Sequence, residues 1–163
     1  LLDEVGAGTD PIEGSALGKA MREWLWLYPS VEIVHITGIA LLVGSIAVLD
    51  LRLLGFSRNL PVRTLAAHTL PWTLGSFVLI LPSGLMMFVA HAGDLIASPV
   101  FALKICLIMA AGINAAAFHA GVFRGAAQWD VGVMPPPMAR AAAGLSLLLW
   151  LSVIACGRLL AYF

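Results

Sequence analysis

The chain has 163 residues, of which 61% are hydrophobic and only 11% charged, with nine basic residues balanced by nine acidic ones. Its mean hydropathy is +0.97. Soluble domains are about half apolar and about one-quarter charged, and a soluble fold of this size leaves roughly 30% of its unfolded area exposed. The composition therefore argues against a soluble enzyme, a nucleic-acid binder or a disordered chain, and places the protein in a lipid bilayer.

The segment Leu1 to Gly14 is acidic and glycine-rich and reads as irregular. It opens on Leu rather than Met, which leaves room for a start upstream. From Ser15 to Tyr28, the residues Leu17, Ala20, Met21, Trp24, Leu25 and Tyr28 fall on one helical face, and Lys19, Arg22 and Glu23 on the other. That segregation predicts an amphipathic helix over 15–28, lying in the membrane interface. Pro29 is expected to separate it from the first span.

A spanning helix needs about 20 mostly apolar residues, and four stretches qualify: 31–54, 64–91, 99–124 and 138–162. Ser30 is well placed to cap the first. Ser98-Pro99 gives the third an N-cap followed by proline at the first helical position. Pro135-Pro136-Pro137 closes the last linker, since it cannot continue a helix. The linkers 55–63, 92–98 and 125–137 are short enough to join antiparallel neighbours. The expected fold is all-α: one transmembrane domain over 31–162, an up-down-up-down four-helix bundle.

Arg52, Arg58, Arg63, Arg124 and Arg140 gather on one side of these spans. Lys19 and Arg22 on the other side are diluted by Asp3, Glu4, Asp10, Glu13, Glu23 and Asp94. Cytoplasmic loops carry the Lys/Arg excess. The arginine side is thus expected to face the cytoplasm and both termini the periplasm, in a bacterial inner membrane.

Polar side chains inside a span cost free energy and are functional candidates by default. Here they are Glu32, His35, His68, His91, Lys104, Asn114, His119 and Arg158. His68 and His119 lie about a turn inside the arginine-side ends of spans two and three. His35 lies at a similar depth from the other side, and His91 closes span two there. Two imidazoles on facing helices are what a haem b needs. His68 with His119 is one expected axial pair and His35 with His91 the second, for one haem or two.

Gly75, Gly112 and Gly84 stand seven residues from His68, His119 and His91, two turns away on the same face. Gly38 stands one turn from His35. These glycines could clear a porphyrin. Arg124 and Arg140 on one side, and Lys104 and Arg158 on the other, could pair with its propionates. His68 and His91 are about 35 Å apart and about 140° around an ideal helix, so they must serve different neighbours, with Pro71 and Pro82 bending the span. The bland alternative is that each histidine is a neutral interhelical hydrogen-bonding group.

Glu32 and His35 spell ExxH, but a di-iron bundle needs two such motifs and two further Glu, which the spans lack. Glu32 is expected to pair with Lys104 or Arg158, or to relay protons to a quinone. Asp50 and Arg52 read as a solvated pair at the exit of span one. No HExxH is present for a zinc protease, and no metal beyond haem iron is expected. Met86-Met87, Cys106 and Cys156 read as packing residues. Asn114 and the run Ala110 to Ala120 would let span three approach its neighbours closely.

Four patterns occur together: Glu32-x-x-His35, Asp50-Leu-Arg-Leu-Leu-Gly55, Asn114 with Phe118-His119, and Gly157-Arg158. The set resembles an uncharacterised family of small four-helix bacterial inner-membrane proteins, over nearly the whole chain. In architecture the bundle is similar to cytochrome b561 and the copper-resistance membrane proteins, an analogy of fold alone. The fourth span has no histidine, and the 14-residue His spacing of respiratory cytochrome b subunits is absent.

The leading expectation is a b-type cytochrome membrane subunit that passes electrons between the quinone pool and a periplasmic redox protein. It would be an electron-transfer component rather than a stand-alone enzyme. The rival is a structural or assembly subunit of a larger membrane complex, without a cofactor of its own. A third reading is a small metal-handling or transport protein, in which Glu32, His35 and Lys104 line a polar site.

Overall fold

A computed structural model describes residues 11–160 and 162. The irregular segment expected over 1–14 lies outside the described residues up to position 10. Six α-helices follow: α1 (Ala16–Glu23), α2 (Leu27–Leu53), α3 (Val62–Ala90), α4 (Ala92–Ala97), α5 (Pro99–Ala120) and α6 (Pro137–Leu159), with a 3-10 segment, Val122–Gln128, between α5 and α6. Helices α2, α3, α5 and α6 are long and apolar enough to cross a membrane. The all-helical, four-span architecture is the one expected.

Local chemistry sets most boundaries. Ser15 Oγ accepts from Gly18 N at 3.2 Å and starts α1. Ser98 Oγ accepts from Phe101 N at 3.4 Å, and Pro99 occupies the first turn of α5, as the sequence predicts. The first span differs. It begins at Leu27, and the chain breaks at Trp24 to Trp26 instead of at Pro29. Pro29 falls in the first turn of α2, where its missing N–H costs nothing. Ser30 is accordingly no cap; its hydroxyl donates to Trp26 O at 2.6 Å. The third span ends at Ala120, because the chain tightens there into the 3-10 segment.

Helix α1 is less an interfacial float than a lid. Met21 is 1% exposed against Val31 and Ala90. Arg22 donates to Ala90 O at 2.9 Å and to Glu13 O at 2.7 Å. The lipid-seeking side chains are the next three: Trp24, Leu25 and Trp26 are all well exposed. Tryptophan at a membrane–water boundary is the expected anchor.

The spans form two hairpins. Helix α2 packs on α3, α5 packs on α6, and α2 with α6 joins the pairs. No Cα of α3 comes within 8 Å of one in α5. Close approach in the first hairpin rests on glycine: a Cβ on Gly38 would meet Ile80 Cγ1 at 2.7 Å. Ser45 and Thr73 hydroxyls bond across the same seam at 2.7 Å. In the second hairpin Asn114 Nδ2 donates to Ala142 O at 2.9 Å, the small-residue, polar-glue packing of membrane helices.

The arginine-bearing end is closed by one side chain. Arg52 is 1% exposed. It donates to Leu60 O at 2.7 Å, Arg58 O at 3.2 Å and Asp130 O at 3.0 Å. Asp130 in turn accepts Val62 N at its carbonyl, 3.1 Å, and Arg63 N at Oδ1, 2.8 Å. A core of Leu53, Val62, Phe118, Ala126, Trp129, Ala139 and Ala143 fills the space around this stitching. Asp50 and Arg52 are therefore not a solvated pair. Both are buried, and each turns to different neighbours, since two residues along a helix is about 200° around it.

Removing the guanidinium takes a hydrogen bond of roughly 1 kcal/mol or more from each of three carbonyls, of which Arg58 O keeps Gly132 N and Asp130 O keeps Val62 N. Arg52→Ala should therefore cost about 3 kcal/mol or more and lower the melting temperature in detergent, followed by circular dichroism. Arg52→Lys should recover only part of the loss, since an ammonium cannot fork. Melting of Arg52→Ala at the wild-type temperature would refute this account of the cap.

Candidate functional site

Among the described residues no ring contact joins two imidazoles. His68 is exposed. It stands seven residues before Gly75 in α3. Phe88 of α3 stacks on Phe101 of α5 with ring centroids 5.8 Å apart. His119 is half-buried, edge-on to Phe118 and Phe123. It shares the face of α5 that carries Phe101, 18 residues and five turns away. His91 ends α3 and meets Tyr28 edge-on at 5.5 Å.

His35 is held differently. It is half-buried, and its Nδ1 lies 2.9 Å from Ser83 Oγ of α3. The Ser83 hydroxyl has one proton, and Leu79 O takes it. Ser83 therefore accepts from His35 Nδ1–H, and the Ile80 carbonyl is also in hydrogen-bonding reach of the ring. With Nδ1 as the donor, Nε2 keeps its lone pair. Gly84 makes this possible: a Cβ there would stand 3.0 Å from His35 Cε1. The glycine expected to clear a porphyrin for His91 admits the His35 ring instead, and Gly38 admits Ile80. Cβ atoms on Gly75 and Gly112 would meet nothing within 4 Å.

Two charges act on the His35 ring, Lys104 and Glu32. The Lys104 ammonium reaches toward α6, 3.7 Å from where a side chain on Gly157 would begin. Among the described residues Glu32 forms no ion pair with Lys104 or Arg158. Glu32 is exposed, and Arg158 donates to Tyr162 Oη at 2.7 Å with its guanidinium over the ring. Arg124 and Arg140 are exposed at the other end.

Beside Ser83 the α2–α3 seam opens into a cavity of about 250 Å³, lined by Val31, Val34, Val78, Leu79, Pro82 and Met86 as well as Ser83 itself. It is apolar apart from its serines and opens at the helix surface. Met86 is a groove wall, and Met87 packs beneath the α1 lid. Among the described residues no three His, Cys, Asp or Glu gather where they could hold a metal ion.

The sequence alone places His35, Lys104 and Glu32 near one level but does not reveal Ser83. A serine next to Pro82 has no signature of its own; only the antiparallel register puts it opposite His35. In 15N-histidine-labelled protein, the signal lost in His35→Ala should show Nδ1 protonated and Nε2 bare. Ser83→Ala should convert it to a tautomer mixture. A wild-type His35 protonated at Nε2 would disprove the assignment.

No curated protein and no solved structure matches the chain. Residues 11–163 match a family described as a family of unknown function, DUF6644. That match covers nearly the whole sequence and all four spans, and the chain belongs to this family.

Proposed function

We propose that this chain is a quinone-interacting subunit of a bacterial inner-membrane redox assembly, with His35 as the proton acceptor for a quinol. The observation that carries this reading is the His35 Nδ1 to Ser83 Oγ hydrogen bond at 2.9 Å. It locks one imidazole tautomer inside an apolar span and leaves Nε2 as a base. A quinol is a membrane-soluble molecule whose chemistry calls for such a base, because its hydroxyls lose protons as electrons leave.

The groove beside Ser83 offers approach from the lipid. Lys104 lends positive charge where a quinol anion would form, and in a low-dielectric interior that charge acts strongly. Glu32, three residues nearer the start of α2 and exposed, is an onward acceptor toward water. The arginine-rich loops belong on the cytoplasmic side, which puts His35 in the periplasmic half and both termini in the periplasm. Each quinol oxidised to quinone releases two protons by this side and two electrons to a one-electron carrier in a partner protein.

Haem b enters this reading in a narrower form. His119 shares with Gly112 one face of α5, where a Cβ on Gly112 would meet nothing within 4 Å. A haem there would take His119 as one axial ligand and its second ligand from a neighbouring subunit, and would serve as the electron carrier.

A photoreactive short-chain quinone should label α2 and α3 around Ser83 in detergent-purified protein. His35→Ala should weaken its binding about tenfold, the loss of roughly one hydrogen bond to a partner that becomes charged. Labelling spread evenly over the spans, or unchanged in His35→Ala, would refute the quinone site. A dithionite-reduced minus air-oxidised absorption spectrum tests the haem separately. An alpha band lost in His119→Ala would establish it, and a flat spectrum after haem is supplied would remove haem while leaving the quinone site standing.

A further inference from the structure

Asp50 is a carboxyl group sealed inside the bundle at the arginine end, and nothing proposed for His35 uses it. It is 6% exposed. Ser146 of α6 is its polar neighbour, across the seam where the two hairpins pack. Its second oxygen, Oδ2, is buried and has no hydrogen-bond partner. The nearest basic side chain in sequence, Arg52, lies about 200° away around α2; its Nε and Nη2 donate to three loop carbonyls, and its Nη1 is buried without a partner.

No other charge reaches it. Across the α2–α6 seam Asp50 meets the uncharged Ser146, and Arg140 of α6 is exposed. From α3, the residues on the α2-facing stripe near its level are Ala66 and Thr69. His68 stands at that level but is exposed. No charged side chain among the described residues acts on Asp50; desolvation and Ser146 are the influences on it.

An ionised carboxylate with one bare oxygen, in a seam without a counter-charge, is held at a large desolvation cost. A neutral carboxylic acid escapes that cost. Its proton can be donated to the Ser146 hydroxyl, and the bare Oδ2 is then only a carbonyl oxygen. We infer that Asp50 is a proton-binding site built into the α2–α6 seam, protonated while the seam is packed and able to release its proton only when water enters between the hairpins. The proton joins and leaves one carboxyl oxygen, with water as the exchanging partner.

Infrared difference spectroscopy of the full chain reconstituted in liposomes tests this inference. At neutral pH the wild type should show a protonated-carboxyl C=O band that moves down in D2O. The band should vanish in Asp50→Asn and move up in Ser146→Ala, where its hydrogen bond is lost. Absence of the band at neutral pH, or its persistence in Asp50→Asn, would overturn the inference. Loss of the band on adding sodium at fixed pH would also overturn it, making Asp50 a metal-cation site. Should Asp50→Asn fail to fold, Ser146→Ala carries the test alone, and an unmoved band refutes the site.

Discussion

The Arg52 guanidinium is the constraint on which the rest of this structure leans. It is one positive charge, almost wholly buried, that donates from Nε and Nη2 to backbone carbonyls of both loops at one end of the bundle. Because Asp130 is drawn to it, Asp130 is also in place to receive the first N–H groups of α3. The start of α3 is thereby fixed against the end of α2, and so is the register of the whole hairpin. That register holds unchanged through Ser45 with Thr73, Gly38 against Ile80, and His35 with Ser83. A slip of one residue at the cap would turn α3 by about 100° and take Ser83 away from His35. The tautomer of an imidazole near one membrane face is therefore set by an arginine at the other.

The architecture was legible in the sequence because it follows from quantities that add along the chain. Twenty apolar residues make a span, a proline stops one, and short linkers force antiparallel neighbours. The arginine-rich side was legible for the same reason, as a sum over loops. What Arg52 does was not. Asp50 and Arg52, two residues apart at a helix end, have the appearance of a solvated pair, and only tertiary packing shows that they face opposite ways and are both buried. The break before the first span was also misplaced. Pro29 was read as a terminator, whereas proline fits the first turn of a helix, and the break comes at Trp24 to Trp26.

The candidate site was legible in part, and for a physical reason. Intramembrane ionisable groups stand out by composition alone, so Glu32, His35, Lys104 and the other histidines could be found and sorted by depth. Depth is a property of position along the helix, and position is in the sequence. Azimuth is not, once Pro71 and Pro82 lie inside α3 and α3 is free of α5. His68 and His119 share a level, but no ring contact joins them. Gly84, placed two turns from His91, serves His35 because helices exchange their close contacts across the seam and not along their own axis.

The α1 lid has a consequence for how the protein is made. Its ties reach forward in the chain: Arg22 to the carbonyl of Ala90, and Glu13 Oε1 to the N–H of Gly93 at 2.7 Å. Neither partner exists as a docking point until α3 has emerged from the ribosome and crossed the bilayer. The segment synthesised early among these elements is thus among the later ones to be placed, and Trp24, Leu25 and Trp26 give it a resting position in the headgroups meanwhile. Helix α1 closes over a hairpin that has already inserted, so its docking reports that α2 and α3 have met in register.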